Sequence, residues 1–417
     1  MVREQTGGHA QINPSIRLLR QFEPVLHFTH GERFFPMDVE KYVEHCSLWA
    51  QRPRQKPIPL VPNGELSLEK LGQSHPDEFG TVHYLKLLDP LSPANLAAYT
   101  IQSTIEDRTH FKAGRARLAR VGYLSRIVDA LFSVSLLARG RVPGDTAAAA
   151  DLVYRRYLQE SERFTYHGRI VHQDGWLVLQ YWYFYLFNNW RSGFSGANDH
   201  EADWEMVSIY LSEDEEGHLE PQWVAYASHD YEGDNLRRHW NDPELQRIDS
   251  HPLVYVGAGS HASYYAPGEY LAELELAFLR PLIRVTDRLQ ELWYAGLRQY
   301  RIESPDEEEE HQRLFRIPFV DYARGDGKRI GPGQDNIWFA PRVIDDATPW
   351  VARYRGLWGL YARDPFAGED APAGPMYNRD GTVRRAWYDP LGWAGLDKVL
   401  PPHQTLAFIQ ERLKGID

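Results

Sequence analysis

The stretch GWLVLQYWYFYLF, residues Gly175–Phe187, decides the fold of this chain. It is almost wholly apolar and aromatic, and it lacks the alternation of polar and apolar residues that marks a half-exposed strand. An apolar run of this length that follows a glycine is typical of a strand buried on both faces. We therefore expect this segment to lie at the centre of the protein.

Three further segments near this run have the character of strands. They are Glu205–Leu211 (EMVSIYL), Gln222–Ser228 (QWVAYAS) and Leu253–Val256 (LVYV). Together with the central run they indicate a sheet that packs against another sheet or against helices. The predicted fold class is β-rich α+β, with a β-sandwich core at roughly 165–275.

The flanking sequence predicts helices and loops packed around that core. Apolar residues at helical spacing indicate helices at 118–137, from Asp145 or Thr146 to about Glu162, and within 270–302. The segment 23–47 reads as a strand, a turn at Gly31 and a helix that begins near Met37, and residues 50–80 read as loop.

Three regions follow from this division of the chain. Residues 1–164 form an N-terminal strand and helix region, 165–275 the β-sandwich core, and 276–417 a helical and irregular C-terminal region rich in Trp, Gly and Pro. We expect the three to form one large compact unit, with the C-terminal segment wrapped over the core.

Composition narrows the class of protein. The chain has 417 residues, 43% hydrophobic and 25% charged, which is typical of a globular protein. Its net charge of −12 argues against a nucleic-acid-binding protein. The single cysteine, Cys46, cannot form an internal disulfide or a thiolate metal cluster, and it favours a reducing compartment.

The sequence shows no targeting or membrane-spanning signal. The N-terminal MVREQTGGHAQINPS lacks the apolar segment of a signal peptide. The longest uncharged run ends at Trp190 and is too short for a spanning helix. We expect a cytoplasmic protein.

The densest polar cluster is the segment NDHEADWE, residues 198–205. In a strand Asp203 and Glu205 lie on one face and Trp204 lies on the other. His200, three residues before Asp203, can fold back toward that face. Two carboxylates held close together repel each other unless a proton or a cation lies between them.

Two other segments can bring histidines to the same end of the sheet. GAGSHAS, residues 257–263, follows a predicted strand and contains His261, and Ser228-His229-Asp230 ends another. The predicted ligands of one divalent cation are His200, Asp203, Glu205 and His261. The secondary candidates are His229, Asp199, Asn188, Glu201 and Arg191.

The types of predicted ligand do not decide which metal binds. Dominant carboxylates favour Mg, Ca or Mn, whereas dominant imidazoles allow Zn or Fe. The alternative to a metal site is a capped turn with surface carboxylates and a core histidine.

These residues and two other regions resemble a known family. HEADWEMV (200–207), YVGAGSHASYYAPGEY (255–270) and EPVLHFTHGERFFPMDVE (23–40) resemble segments of the vacuolar protein sorting-associated protein 62 family. GLWG (356–359), AGP (373–375) and WYDP (387–390) resemble its C-terminal end, so the resemblance covers nearly the whole chain. It implies no reaction.

The same cluster is more distantly similar to the necrosis- and ethylene-inducing peptide-like proteins. Their Gly-His-Arg-His-Asp-Trp-Glu signature lies on a β-sandwich and binds a divalent cation. His200, Asp203 and Glu205 match its first histidine and its acidic positions, whereas Ala202 replaces its second histidine and Asp199 its glycine. The resemblance implies a cation site and does not imply their cytolytic activity, because those proteins are secreted and disulfide-bonded.

Three functions are compatible with this site. The favoured one is a binding module, in which the cation and nearby aromatic residues recognise a glycan or a lipid headgroup. The aromatic residues that flank the site in sequence are Trp182, Tyr183, Tyr185, Trp190, Tyr264 and Tyr265. The strand pattern of 181–187 indicates that those in this run belong to the core.

The second function is a metal-dependent hydrolase, and the third is a scaffold with a purely structural site. In a hydrolase, Glu201 or Asp199 would act as the base toward a metal-activated water, and Arg191 would hold an anionic group. A Ser260 nucleophile is disfavoured because Gly-Ala-Gly-Ser-His lacks the Gly-x-Ser-x-Gly turn. Protein partners are not indicated.

Overall fold

The computed structural model describes residues 13–74, 79–89, 91–105, 144–189, 200–214, 216–228, 234–275, 316–359, 371–402 and 404. Its helices are α1 (Pro14–Phe22), α2 (Val39–Glu44), α3 (Leu68–Leu71), α4 (Pro93–Ile105), α5 (Gly144–Glu160), α6 (Pro349–Arg353), α7 (Arg385–Tyr388) and α8 (Pro390–Trp393). A 3-10 turn spans Asp234–Leu236. Within these ranges no helix has the length and apolar character needed to cross a membrane.

The strands fall into two larger and two smaller sheets. They are β1 (Val25–His27), β2 (Ser47–Gln51), β3 (Ile58–Val61), β4 (Val82–Lys86), β5 (His167–Gln173), β6 (Trp176–Asn188), β7 (His200–Glu213), β8 (Leu219–Tyr226), β9 (Arg237–His239), β10 (Arg247–Ile248), β11 (His251–Val256), β12 (Ser263–Tyr264), β13 (Gly268–Glu275), β14 (Arg316–Ala323), β15 (Arg329–Ile330) and β16 (Arg342–Val343). The fold class is β-rich α+β, as the sequence predicts.

The larger sheet has the strand order β16-β5-β6-β7-β8-β9. The central strand β6 is buried along all 13 of its residues, which confirms the prediction from its apolar sequence. It pairs antiparallel with β5 and β7, and Tyr185 lies opposite Asp203 in the register. The strands predicted at 205–211 and 222–228 are present as the longer β7 and as β8.

The second sheet has the order β10-β11-β1-β15, with β12 paired to β11. Its strand β1 runs parallel to β11, so that Val25 lies opposite Leu253 and His27 opposite Tyr255. Apolar side chains of this sheet, including Leu26 and Val254, join the same hydrophobic core as those of β6. The core therefore includes side chains of strands β1 and β15, which lie outside the range 165–275.

The C-terminal segment covers the larger sheet with tryptophan rings. Trp338 stacks on Tyr183 at 5.6 Å, and Trp387 packs against Trp182 at 6.0 Å. After the eight-residue strand β14, the described part of this segment contains short helices and two-residue strands between turns. This confirms the prediction of an irregular segment that lies over the core.

The predictions for the N-terminal part are partly right. The strand and helix of 23–47 are confirmed, but the helix begins at Val39, because Asp38 caps it and accepts a hydrogen bond from the Glu40 amide. The loop expected at 50–80 is wrong in part, since β3 and α3 lie within it. The helix from 145 is confirmed as α5.

The helix predicted within 270–302 is wrong at its start. Residues up to Glu275 form β13, which pairs antiparallel with β14 over eight residue pairs. Pairing with a strand some 40 residues away overrides a local pattern that fits either structure. Residues 276–302 and the helix predicted at 118–137 lie outside the described residues. The division into three regions stays a prediction.

Candidate functional site

The candidate site lies where β6 ends and β7 begins. Asp203 accepts a hydrogen bond from Asn188 Nδ2 at 3.0 Å and faces His261 Nδ1 at 2.9 Å, both through Oδ2. Its Oδ1 accepts from the Trp204 amide at 3.0 Å. The cross-strand register puts the end of β6 beside this carboxylate, so Asn188 and Asp203 meet as a consequence of strand pairing.

The pKa of Asp203 reflects these neighbours. Burial is the largest effect and raises the pKa, because it disfavours the charged carboxylate. The hydrogen bond with His261 and the charges of His200 and His261 outweigh burial, so the pKa of Asp203 lies below its usual value. Asp203 is therefore a buried carboxylate that its surroundings hold in the charged form.

His261 is the most enclosed member of the cluster. Its side chain is fully buried, and its ring stacks on that of Tyr185 with centroids 3.8 Å apart. Nδ1 meets Asp203, whereas Nε2 has no hydrogen-bond partner and lies 3.9 Å from Oε1 of Glu32. A neutral ring protonated at Nδ1 presents a lone pair at Nε2, which a carboxylate oxygen repels unless a proton or a cation lies between them.

Glu32 reaches the site through the parallel pairing of β1 with β11. The loops that follow these strands leave from the same end of the second sheet, and they carry Glu32 and His261. Oε1 of Glu32 accepts from the amides of Arg33 at 2.7 Å and Phe34 at 3.1 Å, and Oε2 accepts from Gly259 at 2.7 Å. The Glu32 side chain is 2% exposed and joins the two loops.

Negative charge converges on the Tyr185 hydroxyl. Burial raises the pKa of Tyr185 well above its usual value, and the charges of Glu205, Asp203 and Glu32 raise it further. Glu205 follows Asp203 by two residues on β7, as expected for side chains on one face. The side chains of Glu32, Asp203 and His261 are buried, whereas Glu205 is half-buried.

Backbone strain marks the same site. Ala202 and His261 have φ angles of +61° and +58°, a left-handed conformation that residues other than glycine rarely adopt. His200 Nδ1 lies 2.7 Å from the carbonyl of Ala202, so it braces this distorted start of β7. Strain of this kind persists where the surrounding structure imposes it, often at functional sites.

A second buried polar group adjoins the cluster through Ser260. The Ser260 hydroxyl donates to Asp321 at 2.6 Å, and the Tyr264 hydroxyl donates to the same oxygen at 2.8 Å. Burial and the charge of Asp321 raise the pKa of Tyr264. Ser260 is thus engaged by a carboxylate and has no contact with an imidazole that would activate it as a nucleophile.

The structure brings together Asn188, Asp203 and His261 and places His200 and Glu205 beside them. Glu201 lies elsewhere, because its Oε1 accepts from the Tyr42 hydroxyl at 2.8 Å and the Leu87 amide at 2.6 Å. Asp199, Arg191 and His229 lie outside the described residues. Among the described residues, no three His, Cys, Asp or Glu side chains are arranged to hold a metal ion.

The aromatic residues expected at the rim of the site are mostly part of the core. Trp182, Tyr183 and Tyr185 are buried, as the pattern of 181–187 indicates, and Tyr264 is buried as well. Trp190 lies outside the described residues, and Tyr265 is half-buried against Tyr226 at 4.0 Å. The described part of the chain does not offer these rings for stacking on a ligand.

Sequence reasoning missed Glu32 and Asp321. Glu32 follows Gly31 in the motif HGERFF, where a glutamate before two phenylalanines resembles an ordinary turn residue. Asp321 lies on β14, after a region that offered no motif. A signal for either residue would have required knowledge of which strands pair.

Comparison with known proteins gives limited similarity. No family model matches the chain. The chain is 28% identical over 144 residues to vacuolar protein sorting-associated protein 62 of Saccharomyces cerevisiae, a match that covers 30% of this chain and 28% of that protein. The similarity is therefore local, and the expected resemblance over nearly the whole chain is not reproduced. The chain matches well under half the length of this relative.

Two solved structures share partial similarity. One is necrosis and ethylene inducing protein 2 from the causal agent of witches' broom disease of cocoa, at 20% identity over 25% of this chain and 46% of that chain, with a TM-score of 0.20. The other is the non-toxic HaNLP3 protein, at 12% identity over 22% of this chain and 40% of that chain, with a TM-score of 0.18. TM-scores of this size do not establish a shared fold.

Proposed function

We propose that this protein binds one divalent cation at the cluster of Glu32, Asp203, Glu205 and His261, whose side chains would move from their described positions to form the ligand set. The observation that carries the proposal is Nε2 of His261, which is fully buried and has no hydrogen-bond partner among the described residues while Nδ1 is held by Asp203. A metal-bound histidine almost always has its second ring nitrogen held in this way by a carboxylate or a carbonyl. Asp203 then orients the imidazole, because protein donors already engage both of its oxygens.

The charge of the cluster supports the same proposal. The side chains of Glu32 and Asp203 are 2% and 9% exposed, and buried carboxylates are stabilised by a compensating positive charge. A cation between Nε2 of His261 and the neighbouring carboxylates would supply that charge. His200, Asp199 and His229 stay candidate additional ligands, and this oxygen-rich set favours Mg, Ca or Mn over Zn or Fe.

We further propose that the bound cation serves recognition of a glycan or a lipid headgroup. Hydroxyl, carboxylate and phosphate oxygens are the ligands that hard cations accept, and such groups are abundant in both ligand classes. The hydrolase alternative has less support, because Oε1 of Glu201 accepts hydrogen bonds from Tyr42 and Leu87, which direct this carboxylate away from His261. A purely structural cluster is the second candidate, since Glu32 accepts from two amides of its own loop and joins the other loop through the Gly259 amide.

The deciding experiment is elemental analysis of untagged full-length protein, together with calorimetric titration of Ca, Mg, Mn and Zn. We expect about one equivalent of one cation, lost in His261→Gln and kept in His172→Gln, which changes an exposed histidine of β5. A cation at about 100 times its Kd should add about 2.7 kcal/mol to the free energy of unfolding. Absence of binding by every cation would overturn the proposal and leave the structural role.

The recognition step has its own test. Glycan arrays and lipid strips are probed with wild-type protein in the presence of the bound cation and in excess chelator. We expect binding that the chelator removes and that Glu205→Gln weakens. Binding that survives the chelator would contradict a cation-dependent ligand site even if the cation itself is present.

A further inference from the structure

The tip of the small sheet β3-β2-β4 combines exposed apolar and basic residues. The turn between β2 and β3 is closed by Gln51 Nε2, which donates to the carbonyls of Arg52 and Gln55 at 2.7 Å. The loop before β4 lies against this turn, because a Cβ on Gly80 would meet Cγ of Pro53 at 3.1 Å. The turn and the residue before Gly80 therefore form one protruding surface.

Apolar side chains at this tip face solvent. Phe79 is fully exposed at 105%, and Ile58 and Leu60 on the edge strand β3 are exposed at 38% and 41%. Phe79 precedes β4, and Ile58 and Leu60 lie on β3 across β2 from it, so exposed apolar residues lie on both sides of the turn, which is typical of an interaction surface. The surface is separate from the cluster of His261 and Asp203.

The same tip is locally basic on an acidic protein. Residues 51–61 contain Arg52, Arg54 and Lys56 and no acidic residue, although the whole chain carries a net charge of −12. Arg54 and Lys56 are exposed, and neither makes an ion pair within the described ranges. Asp77 and Glu78, which precede Phe79 in the sequence, lie outside those ranges.

The edge strand itself is unsuited to pairing with a strand of another protein. Pro57, Pro59 and Pro62 interrupt it, and each proline lacks the N–H that strand addition requires. Exposed apolar residues next to basic side chains are instead suited to the surface of an anionic bilayer. There the apolar groups enter the acyl region and the basic side chains contact the headgroups.

We propose that this tip, made of Arg54, Lys56, Ile58, Leu60 and Phe79, docks on the surface of an anionic lipid bilayer. Phe79 enters the boundary between headgroups and acyl chains, and Arg54 and Lys56 contact lipid phosphates or carboxylates. The contact needs no divalent cation, so it is independent of the function proposed for the His261 cluster.

The test is co-sedimentation of the full-length protein with vesicles of phosphatidylcholine alone or with about 30% phosphatidylserine, whose negative charge attracts basic residues near the bilayer surface. We expect binding to the anionic vesicles in excess chelator, weakened at high salt. Phe79→Ala should weaken it about tenfold. The double variant Arg54→Gln/Lys56→Gln should weaken it by more than tenfold, since each cation contributes about fivefold.

Tyr388→Ala is the matched control, because Tyr388 is an aromatic residue exposed at 64% on α7, and it should bind as the wild type does. Circular dichroism verifies the fold of each variant. Vesicle binding that needs a divalent cation, is lost in Asp203→Asn and is kept in Phe79→Ala would overturn this proposal and support the other site. No vesicle binding, with self-association that Phe79→Ala abolishes, would assign the tip to a second copy of the chain.

Discussion

The ring of His261 lies flat on the ring of Tyr185, with planes only 1° apart. This stacking sets the plane of the imidazole, so that Nδ1 meets Asp203 and Nε2 is directed toward Glu32. Tyr185 belongs to the central strand β6, and His261 belongs to a loop of the other sheet. The contact therefore joins the two sheets at the candidate site.

The first prediction concerns Asp203. Because its pKa is lower in the folded protein than in the unfolded chain, the carboxylate stabilises the fold fully above pH of about 4, and this stabilisation is lost as the pH falls below that value. Asp203→Asn should cost about 3 kcal/mol at pH 7 and clearly less at pH 3. Urea unfolding at both pH values measures the difference.

Glu220→Gln is the control for this comparison, because Glu220 is an exposed carboxylate on β8. We expect it to change the free energy of unfolding by less than about 0.5 kcal/mol at either pH. An equal cost of Asp203→Asn at pH 7 and pH 3 would show that the charge of Asp203 does not contribute.

The second prediction concerns His167, which is fully buried on β5 and packs against the rings of Trp204 and Trp350. Burial lowers its pKa to about 4, and the charge of Asp38 opposes this effect. The folded protein favours the neutral ring, so the stabilisation is complete above pH 6.5 and is lost as the pH falls toward 4.

Through His167 the wild type should lose about 3 kcal/mol of unfolding free energy between pH 6.5 and 4, and this loss should be absent in His167→Phe. Chemical unfolding across this pH range measures the slope of the unfolding free energy against pH. Burial also lowers the pKa of His27 to about 4, so part of the slope should persist in His167→Phe and fall only when His27→Phe is added. An unchanged slope in the single variant would contradict the prediction.

The third prediction concerns Gly257. A Cβ at this position would collide with Ser260 Oγ and lie 2.6 Å from Oδ2 of Asp321, so it would break the hydrogen bond between them. Gly257→Ala should therefore cost about 3 kcal/mol in thermal or urea unfolding. Gly217→Ala, which has open space but a φ of +83°, should cost about 1 kcal/mol through backbone strain alone.

The fourth prediction concerns Cys46, the single cysteine of the chain. It is buried, and burial raises the pKa of its thiol well above the usual value, so very little thiolate forms in the folded protein. We expect no reaction with a thiol reagent at pH 8 in buffer and one equivalent in denaturant. Rapid reaction of the folded protein would show that the connection between α2 and β2, which contains Cys46, opens in the native state.

The strand content could be predicted because burial leaves a local pattern. The apolar run of β6 and the alternation in β7 depend only on neighbouring residues, and both strands formed as expected. The prediction that Asp203 and Glu205 lie on the same face follows from the two-residue period of a strand. The strand β13 was mistaken for a helix, because its partner β14 is distant in the sequence.

The candidate site was only half predictable for the same reason. Asn188, Asp203 and His261 were identified from local motifs, whereas Glu32 and Asp321 were not. The parallel pairing of β1 with β11 brings Glu32 to His261 across more than 200 residues of sequence. Strand alternation alone would put Glu201 on the same face as Asp203. The left-handed backbone at Ala202 lies between them, and the Glu201 carboxylate lies apart from the cluster.

The sequence by itself determined a buried central strand, a β-rich fold and a short segment dense in carboxylates and histidine, since each depends on residues close together in the chain. The tertiary structure alone decided which loops meet, that Asp203 holds Nδ1 of His261, and that Nε2 faces Glu32 without a partner. These relationships arise from strand pairing between distant segments, and burial then makes each polar contact within the cluster energetically important.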